Sequence, residues 1–245
     1  MQLVIGVDGL READGPIFAV IGVFDGIHLG HRYLLDALRT AAEAREARPT
    51  VITFDHHPDE VLTGTAPPLL LDPGERLARL AESGVEVTVI QHFDESVRRT
   101  PYDAFVERIR ARTRLAGLLM TPDAAFGFER RGTPGALAEL GARDDFDVVI
   151  VPTFELDGRS VRSSDVRAAI AAGQLEDARE LLGRPLVLRG TAQDGVLTLA
   201  QPMALPPEGV YPCEVDGQPA RLVVDEGGLR IVADGVADGA VEVRL

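Results

Sequence analysis

Two histidines close to the N-terminus have the spacing of a phosphate-binding motif. His28 and His31 form an H-x-G-H string at the end of the glycine-rich segment from Val20 to His31. Glycines in such a segment let the backbone approach a ligand where a side chain would collide with it. A helix predicted over residues 31–45 would point its free N–H groups and its positive dipole end at the same turn. Imidazoles, glycines and a helix N-terminus together predict an anion site, and phosphate is the natural candidate.

The sequence before this motif favours that interpretation over a plainer one. Two histidines near the start of a helix can also be capping or surface residues. However, the apolar run over residues 17–21 has the pattern of a parallel strand that is buried on both faces. A strand, a glycine turn and a helix, in that order, are the context in which a phosphate motif is expected.

The composition excludes several classes of protein. The chain has 245 residues, of which 45% are hydrophobic and 26% charged, and its formal net charge is −14. Such acidity argues against nucleic acid as a partner, because nucleic-acid phosphates need a basic surface. The chain has no lysine and no asparagine, so all 25 basic residues are arginine. A P-loop and a Schiff-base mechanism, which both need lysine, are therefore excluded.

The sequence has no feature of export or of a membrane span. Its N-terminus lacks a basic region, and its first apolar run is too short for a signal peptide. No segment approaches the length of a transmembrane helix. The single cysteine, Cys213, excludes an intrachain disulfide and fits a reducing compartment. We predict a cytoplasmic protein with no membrane partner.

Predicted strands and helices alternate over the first three quarters of the chain. The strands cover residues 17–21, 50–54, 85–90, 116–120 and 147–151. The helices cover residues 31–45, 73–83, 102–114, 134–141, 164–172 and 175–182. This alternation predicts an α/β fold, a doubly wound parallel sheet of the Rossmann-like type, with its ligand at the carboxyl ends of the strands. Four polar residues each follow a predicted strand and are expected to converge on one edge of the sheet: His31, His57, Asp123 and Ser163.

The sequence pattern changes near residue 186. Short alternating runs follow, and Asp-Gly, Gly-Gly and Pro-Pro pairs separate them. This pattern predicts a small antiparallel, β-barrel-like domain. We therefore expect a first domain over residues 1–186 and a second over residues 187–245.

Five motifs in order carry a resemblance to a known family. They are Gly22 to His31, Thr53 to Pro58 (similar to T-F-x-P-H-P), Asp123 to Gly127 (G-x-D-F-x-F-G), Val161 to Arg167 (I-S-S-T-x-I-R) and Leu181 to Pro185 (L-L-G-R-P). The chain thus resembles, over about residues 16–190, the FMN adenylyltransferase module of prokaryotic bifunctional FAD synthetases. These enzymes belong to the H-x-G-H nucleotidyltransferase superfamily.

The resemblance implies a reaction. FMN phosphate would attack the α-phosphate of ATP and expel pyrophosphate to give FAD, with Mg²⁺ required. The partners are then a small nucleotide and a flavin, and the oligomeric state stays open. The protein supplies no nucleophile, so its work is to position the reactants and to stabilise charge.

The resemblance also implies roles for individual residues. The catalytic group comprises His28, His31 and Arg167. The nucleotide-binding group comprises Gly22, Phe24, Asp25, Gly26, Gly30, Asp123, Ser163 and Ser164. The acceptor-binding group, for the flavin, comprises Phe54, His57, Pro58 and Phe126. Two plainer roles stay open, namely a turn residue for the aspartate at 123 and a helix cap for either serine.

Several positions depart from the family pattern. Thr121 replaces a glycine and Ala124 a phenylalanine in the third motif, Arg162 replaces a serine in the fourth, and His56 replaces a proline. Two alternatives therefore remain. One is a nucleotidyltransferase for another nucleotide or phosphorylated acceptor, and the other is a catalytically reduced regulatory protein that binds flavin or nucleotide.

The second domain resembles a truncated and degenerate riboflavin kinase module. Pro206 to Tyr211 is similar to the P-x-G-V-Y strand entry of that module, and Glu242 lies in a segment similar to the strand with its catalytic glutamate. The module's P-T-x-N motif, which binds metal and ATP, cannot occur in a chain without asparagine. We therefore predict no riboflavin kinase activity.

Overall fold

Short apolar runs form a six-stranded parallel sheet in the computed structural model, which describes residues 1–233 and 238–245. The strands are β1 (Gln2–Ile5), β2 (Ile17–Ile21), β3 (Arg48–Phe54), β4 (Val87–Gln91), β5 (Leu115–Met120) and β6 (Asp147–Ile150). Their order across the sheet is β1-β4-β3-β2-β5-β6. The chain therefore leaves β2 toward β3 and β4, and later returns to the other side of β2 as β5 and β6.

Helices connect or follow these strands. They are α1 (Leu29–Glu43), α2 (Pro58–Thr63), α3 (Pro73–Glu82), α4 (Glu95–Arg98), α5 (Tyr102–Arg110), α6 (Pro134–Asp144), α7 (Ser163–Ala171) and α8 (Leu175–Leu182). The prediction of an α/β, doubly wound parallel sheet is confirmed. Each predicted helix begins within two residues of its expected start, since capping residues and apolar periodicity locate helix starts well.

The sequence analysis missed several short elements. Strand β1 is an edge strand whose Leu3 and Ile5 are 49% and 72% exposed, so its sequence carries no burial pattern. Helices α2 and α4 have six and four residues, too few for a periodic signal. A two-stranded hairpin, β7 (Glu155–Leu156) and β8 (Arg159–Ser160), follows β6.

The hairpin corrects one expectation. Ser163 follows β8, which is not a strand of the parallel sheet, whereas the sequence analysis placed Ser163 directly after a sheet strand. The reason is the turn at Asp157 and Gly158, where φ values of 50° and 77° reverse the chain tightly.

The C-terminal strands close into an antiparallel barrel. They are β9 (Val187–Gln193), β10 (Val196–Leu199), β11 (Gly209–Val215), β12 (Gln218–Asp225), β13 (Gly228–Val232) and β14 (Gly239–Arg244), in the order β10-β13-β12-β11-β14-β9. Positive φ values at Asp194-Gly195 and Asp216-Gly217 suit the tight hairpin turns that these pairs predict. The barrel is filled by apolar side chains such as Leu188, Leu222 and Val243, each fully buried. The predicted barrel-like domain is therefore confirmed.

Cys213 lies in the same barrel core. It is 9% exposed, and burial raises the pKa of its thiol. The thiol behaves as a small apolar side chain in this position.

Contacts divide the chain into two units. Unit 1 comprises residues 1–24, 30–67 and 77–154, and holds the parallel sheet. Unit 2 comprises residues 25–29, 68–76 and 155–245, and holds α7, α8 and the barrel. The predicted domain boundary at residue 186 stays a prediction, because it was drawn along the chain and the two units are drawn by contacts.

Candidate active site

A cavity lies in unit 1 where the strand order of the sheet reverses. Its volume is about 260 Å³, and residues of the neighbouring strands β2 and β5 line it. Loops that leave two such strands diverge to opposite faces of the sheet, and α/β folds bind ligands in the crevice that results. The polar and aromatic lining includes Phe24, His31, Thr121, Phe126 and Arg130.

Phe24 packs beside His31 in this cavity. Their ring centroids are 5.0 Å apart, and Phe24 is 1% exposed with a φ of 54°, a value that phenylalanine rarely adopts. A Cβ on Gly22 would lie 3.1 Å from Cε2 of Phe24. Gly22 therefore makes room for the Phe24 ring, and Gly30 lies in the first turn of α1 beside His31.

The loop after β5 is held by its own turn contacts. The Thr121 hydroxyl donates to a carboxylate oxygen of Asp123 over 2.8 Å, and Nη2 of Arg130 donates to the Asp123 carbonyl over 3.3 Å. The ring of Phe126 packs edge-on against Phe105, with 6.0 Å between centroids. Thr121, which replaces the glycine of the family pattern, thus stabilises the turn that contains Asp123.

The end of β3 and the segment after it carry three of the predicted acceptor residues. His57 occupies the N-cap position of α2, where Nδ1 of its ring accepts the Asp59 N–H over 3.2 Å, and Pro58 is the first residue of that helix. Phe54 ends β3, and its ring packs edge-on against Phe93 at 5.2 Å. The structure therefore gives His57 a capping role, whatever else it binds.

Asp25 is the centre of a buried hydrogen-bond network in unit 2. Its carboxylate is 3% exposed, and its oxygens accept the backbone N–H groups of Leu70 at 3.0 Å and Leu71 at 3.2 Å. Nη2 of Arg167 donates to Oδ2 of Asp25 over 2.5 Å. A buried carboxylate needs such compensation, because transfer of a charge out of water is costly.

Arg167 and Ser163 join α7 to this network. Nε of Arg167 donates to the Pro68 carbonyl over 2.8 Å, and the Ser163 hydroxyl donates to the Asp25 carbonyl over 2.8 Å. The helix begins at Ser163, so Arg162 and not a serine occupies the N-cap position. The plain capping role considered for Ser163 and Ser164 is therefore wrong. Ser164 is exposed in the first turn of α7.

His28 lies in unit 2 close to two guanidinium groups. It is 4% exposed, and burial, followed by the charges of Arg184 and Arg167, lowers the pKa of its imidazole to about 4. The ring is therefore neutral at pH 7. Nη2 of Arg184 donates to the Gly26 carbonyl over 2.7 Å. Gly26 has a φ of 90°, and a Cβ there would lie 3.0 Å from Leu70.

Sequence reasoning missed three parts of this arrangement. It assigned no role to Arg184 or Arg130, or to the backbone amides of Leu70 and Leu71 that bind Asp25. Arg184 could have been suspected, since it follows the helix-ending Gly183 inside a recognised motif. The amides gave no signal, because any residue except proline supplies an N–H.

Comparison with known proteins decides the family. The FAD synthetase family model matches residues 10–165. A bifunctional riboflavin kinase/FMN adenylyltransferase of Pseudomonas fluorescens is 32% identical over 259 residues, covering 100% of this chain and 83% of that protein. The chain belongs to the FAD synthetase family. It is accordingly an enzyme, a nucleotidyltransferase of FAD biosynthesis.

A second relative has the same description, and one solved structure has a similar fold. The enzyme of the same description from Escherichia coli K12 is 32% identical over 232 residues, covering 89% of this chain and 74% of that protein. A crystal structure described as a macrolide-efflux protein from Streptococcus pneumoniae superposes with a TM-score of 0.82 at 25% identity, covering 100% of this chain and 98% of that one. No helix in the described part of the chain is long and apolar enough to cross a membrane.

Proposed function

We propose that the protein transfers the adenylyl group of ATP to FMN, giving FAD and pyrophosphate, and that it has no riboflavin kinase activity. The observation that carries this proposal is the FAD synthetase match over residues 10–165, which includes three of the five motifs in full and the fourth as far as Asp165. A phosphate oxygen of FMN forms a bond to the α-phosphorus of ATP, and the bond from that phosphorus to the bridging oxygen breaks. The electron pair leaves with pyrophosphate.

The assigned residues act by donation and charge. We assign His28 and His31 to the α- and β-phosphates, and Arg167 with Ser163 and Ser164 to the β- and γ-phosphates. Fixed donors stabilise the charge of the transition state without reorganising at the moment of reaction. His28 is neutral at pH 7 and therefore serves as a hydrogen-bond donor rather than as a cation. Because the imidazole is buried, water is excluded from around it, and a hydrogen bond is stronger in such surroundings than in water.

The remaining assignments are parts of the same proposal. The nucleotide-binding group comprises Gly22, Phe24, Asp25, Gly26, Gly30 and Asp123, and the flavin-binding group comprises Phe54, His57, Pro58 and Phe126. Asp25 acts through Arg167, because its carboxylate already accepts two backbone amides and a guanidinium group. We assign no side chain to Mg²⁺, which would reach the site as part of the MgATP substrate.

The barrel offers support for the absence of kinase activity. Oε2 of Glu242 accepts from Arg189 over 2.8 Å, and Oε1 accepts from Arg244 over 2.7 Å. These two arginines lower the pKa of the Glu242 carboxyl, which makes it a weak base. The chain also lacks the asparagine of the kinase motif.

One set of incubations tests the proposal. Purified protein with FMN and MgATP should release pyrophosphate and form FAD, detected by chromatography, whereas riboflavin and MgATP should yield no FMN. Pyrophosphate release only with CTP and a non-flavin acceptor would favour the alternative nucleotidyltransferase. Tight flavin binding with no release under any nucleotide would favour the regulatory protein. FMN formed from riboflavin would overturn the absence of kinase activity.

The other partners follow from composition. The net charge of −14 supports small phosphorylated ligands and no nucleic acid. We also place the enzyme in the cytoplasm without a membrane partner, on the basis of its single cysteine and its lack of a long apolar segment.

A further inference from the structure

Two histidines and an aspartate cluster at the carboxyl ends of β3 and β4 in unit 1. Asp55, His56 and His92 each offer a ligand atom, and these atoms lie within 4.8 Å of one another. In the described part of the chain, no other three or more His, Cys, Asp or Glu side chains bring their ligand atoms this close together. The proposed reaction uses none of the three.

The donor atoms of the cluster lie close enough together for one metal ion to reach all three after small side-chain movements. Nδ1 of His92 is 2.6 Å from Oδ2 of Asp55, and Nδ1 of His56 is 3.1 Å from Oδ1. The two imidazole rings are 5.8 Å apart and nearly perpendicular. Donor atoms around a tetrahedral zinc ion are about 3.3 Å apart, as follows from bonds of roughly 2 Å. Since the three side chains are exposed, small rotations are enough to bring their donors to that spacing.

The backbone around the cluster is fixed by the sheet. Strands β3 and β4 are neighbours, and the Asp55 N–H continues their ladder by donating to the Gln91 carbonyl over 3.2 Å. Oδ1 of Asp55 accepts the Phe93 N–H at 3.2 Å, and the Gln91 side chain donates to the His92 carbonyl at 3.0 Å. The backbone that carries the three donors is therefore held by the strand ends. This favours metal binding, because little conformational entropy of the backbone is lost when the ion binds.

The donor set selects the class of ion. Two imidazole nitrogens and one carboxylate oxygen suit zinc and the other late first-row divalent ions, with water in the remaining position. Magnesium and calcium ions prefer sites made of oxygen atoms, so we expect both ions to bind weakly to this cluster. We propose that Asp55, His56 and His92 bind a zinc-class divalent cation, at a site separate from the Mg²⁺ that ATP carries.

Metal binding by purified protein tests this proposal without any measurement of FAD formation. Tag-free protein is stripped with EDTA, dialysed, and titrated with Zn²⁺ by calorimetry and with Co²⁺ by visible absorption. We expect one ion per chain and the intense d–d bands of four-coordinate cobalt. Loss of a ligand should weaken binding at least 10- to 100-fold, the range seen when only an outer-shell partner is lost, so His92→Ala, His56→Ala and Asp55→Asn each serve as tests.

Two variants serve as matched controls. His57→Ala removes a neighbouring imidazole outside the cluster, and Glu60→Gln removes a nearby exposed carboxylate; both should bind Zn²⁺ within about twofold of the wild type. Circular dichroism checks that each variant is folded. A thousandfold excess of Mg²⁺ should leave zinc binding unchanged. Absence of stoichiometric binding by the wild type, or equal loss in His57→Ala and His92→Ala, would overturn the proposal. Because the readout is binding, its failure is distinct from a failure of the proposed adenylyl transfer.

Discussion

The Asp25 network of unit 2 and the loop after β5 in unit 1 are held together in different ways. The carboxylate of Asp25 is 3% exposed. It accepts hydrogen bonds from Leu70, Leu71 and Arg167, which lie far from it along the chain. The loop around Asp123 is stabilised by its own neighbours, through contacts that span two and seven residues. Arg167 and Ser163, which are assigned to the nucleotide phosphates, are thus fixed by long-range contacts with Asp25, whereas a loop assigned partly to the acceptor depends on local turn chemistry.

The largest effect is expected from Asp25→Asn. It removes the charge that compensates Arg167 and leaves buried donors poorly satisfied, so the free energy of unfolding should fall by about 3 kcal/mol or more. FAD formation should fall with it. Denaturation in urea measures the first quantity and product chromatography the second.

Asp8→Asn is the matched control for that variant. Asp8 also forms an ion pair with an arginine, Arg108, at 2.5 Å, but both side chains are more than 30% exposed. Its loss should cost less than about 1 kcal/mol, as is usual for surface pairs. Equal costs in the two variants would show that the buried network has no special weight.

Loss of either motif histidine comes next. His28→Ala and His31→Ala should each reduce kcat by about 10²- to 10³-fold, the usual effect of removing one transition-state donor. Stopped assays of FAD formation at saturating MgATP measure this. Kinetics like those of the wild type in both variants would remove the proposed mechanism, and Asp8→Asn should retain full activity.

Acidification should lower the stability of the protein, because His28 is buried as a neutral imidazole. Its folded-state pKa of about 4 lies below the ordinary value of 6.5, so the unfolded chain takes up the proton first as the pH falls. Stability is therefore unaffected above pH 7 and is lost between about pH 6.5 and 4, by roughly 2 to 3 kcal/mol at pH 4.5. The difference between wild type and His28→Gln in urea denaturation at pH 7 and pH 4.5 isolates this contribution. The same slope in both proteins would contradict it.

The smallest effect is expected at His57. Loss of its N-cap contact in His57→Ala should destabilise the protein by about 1 kcal/mol, and His57→Ser should restore that loss because serine is a good N-cap. If His57 also binds the acceptor, the KM for FMN should rise in both variants. If His57→Ser restored both the KM for FMN and the stability, the only role of His57 would be to cap α2. That result would show that another acceptor segment depends on local contacts, unlike the Asp25 network.

Much of the fold could be predicted because its signals are local. The buried strand β2 and the helix starts at Pro73, Tyr102 and Pro134 are visible in apolar runs and in proline positions. The motif predicted a candidate site, but the contacts that hold its residues in place could not be predicted. The partners of Asp25 are backbone amides and an arginine about 140 residues away, a long-range pairing that no local pattern records.

The position of Cys213 has an experimental consequence. It is the only thiol in the chain, and it is buried in the barrel core. A thiol reagent can modify it only when the barrel opens, so the labelling rate in native buffer measures local opening of the barrel directly. Labelling in the presence and absence of nucleotide would then show whether ligand binding slows the fluctuations of a module that the proposed reaction does not use.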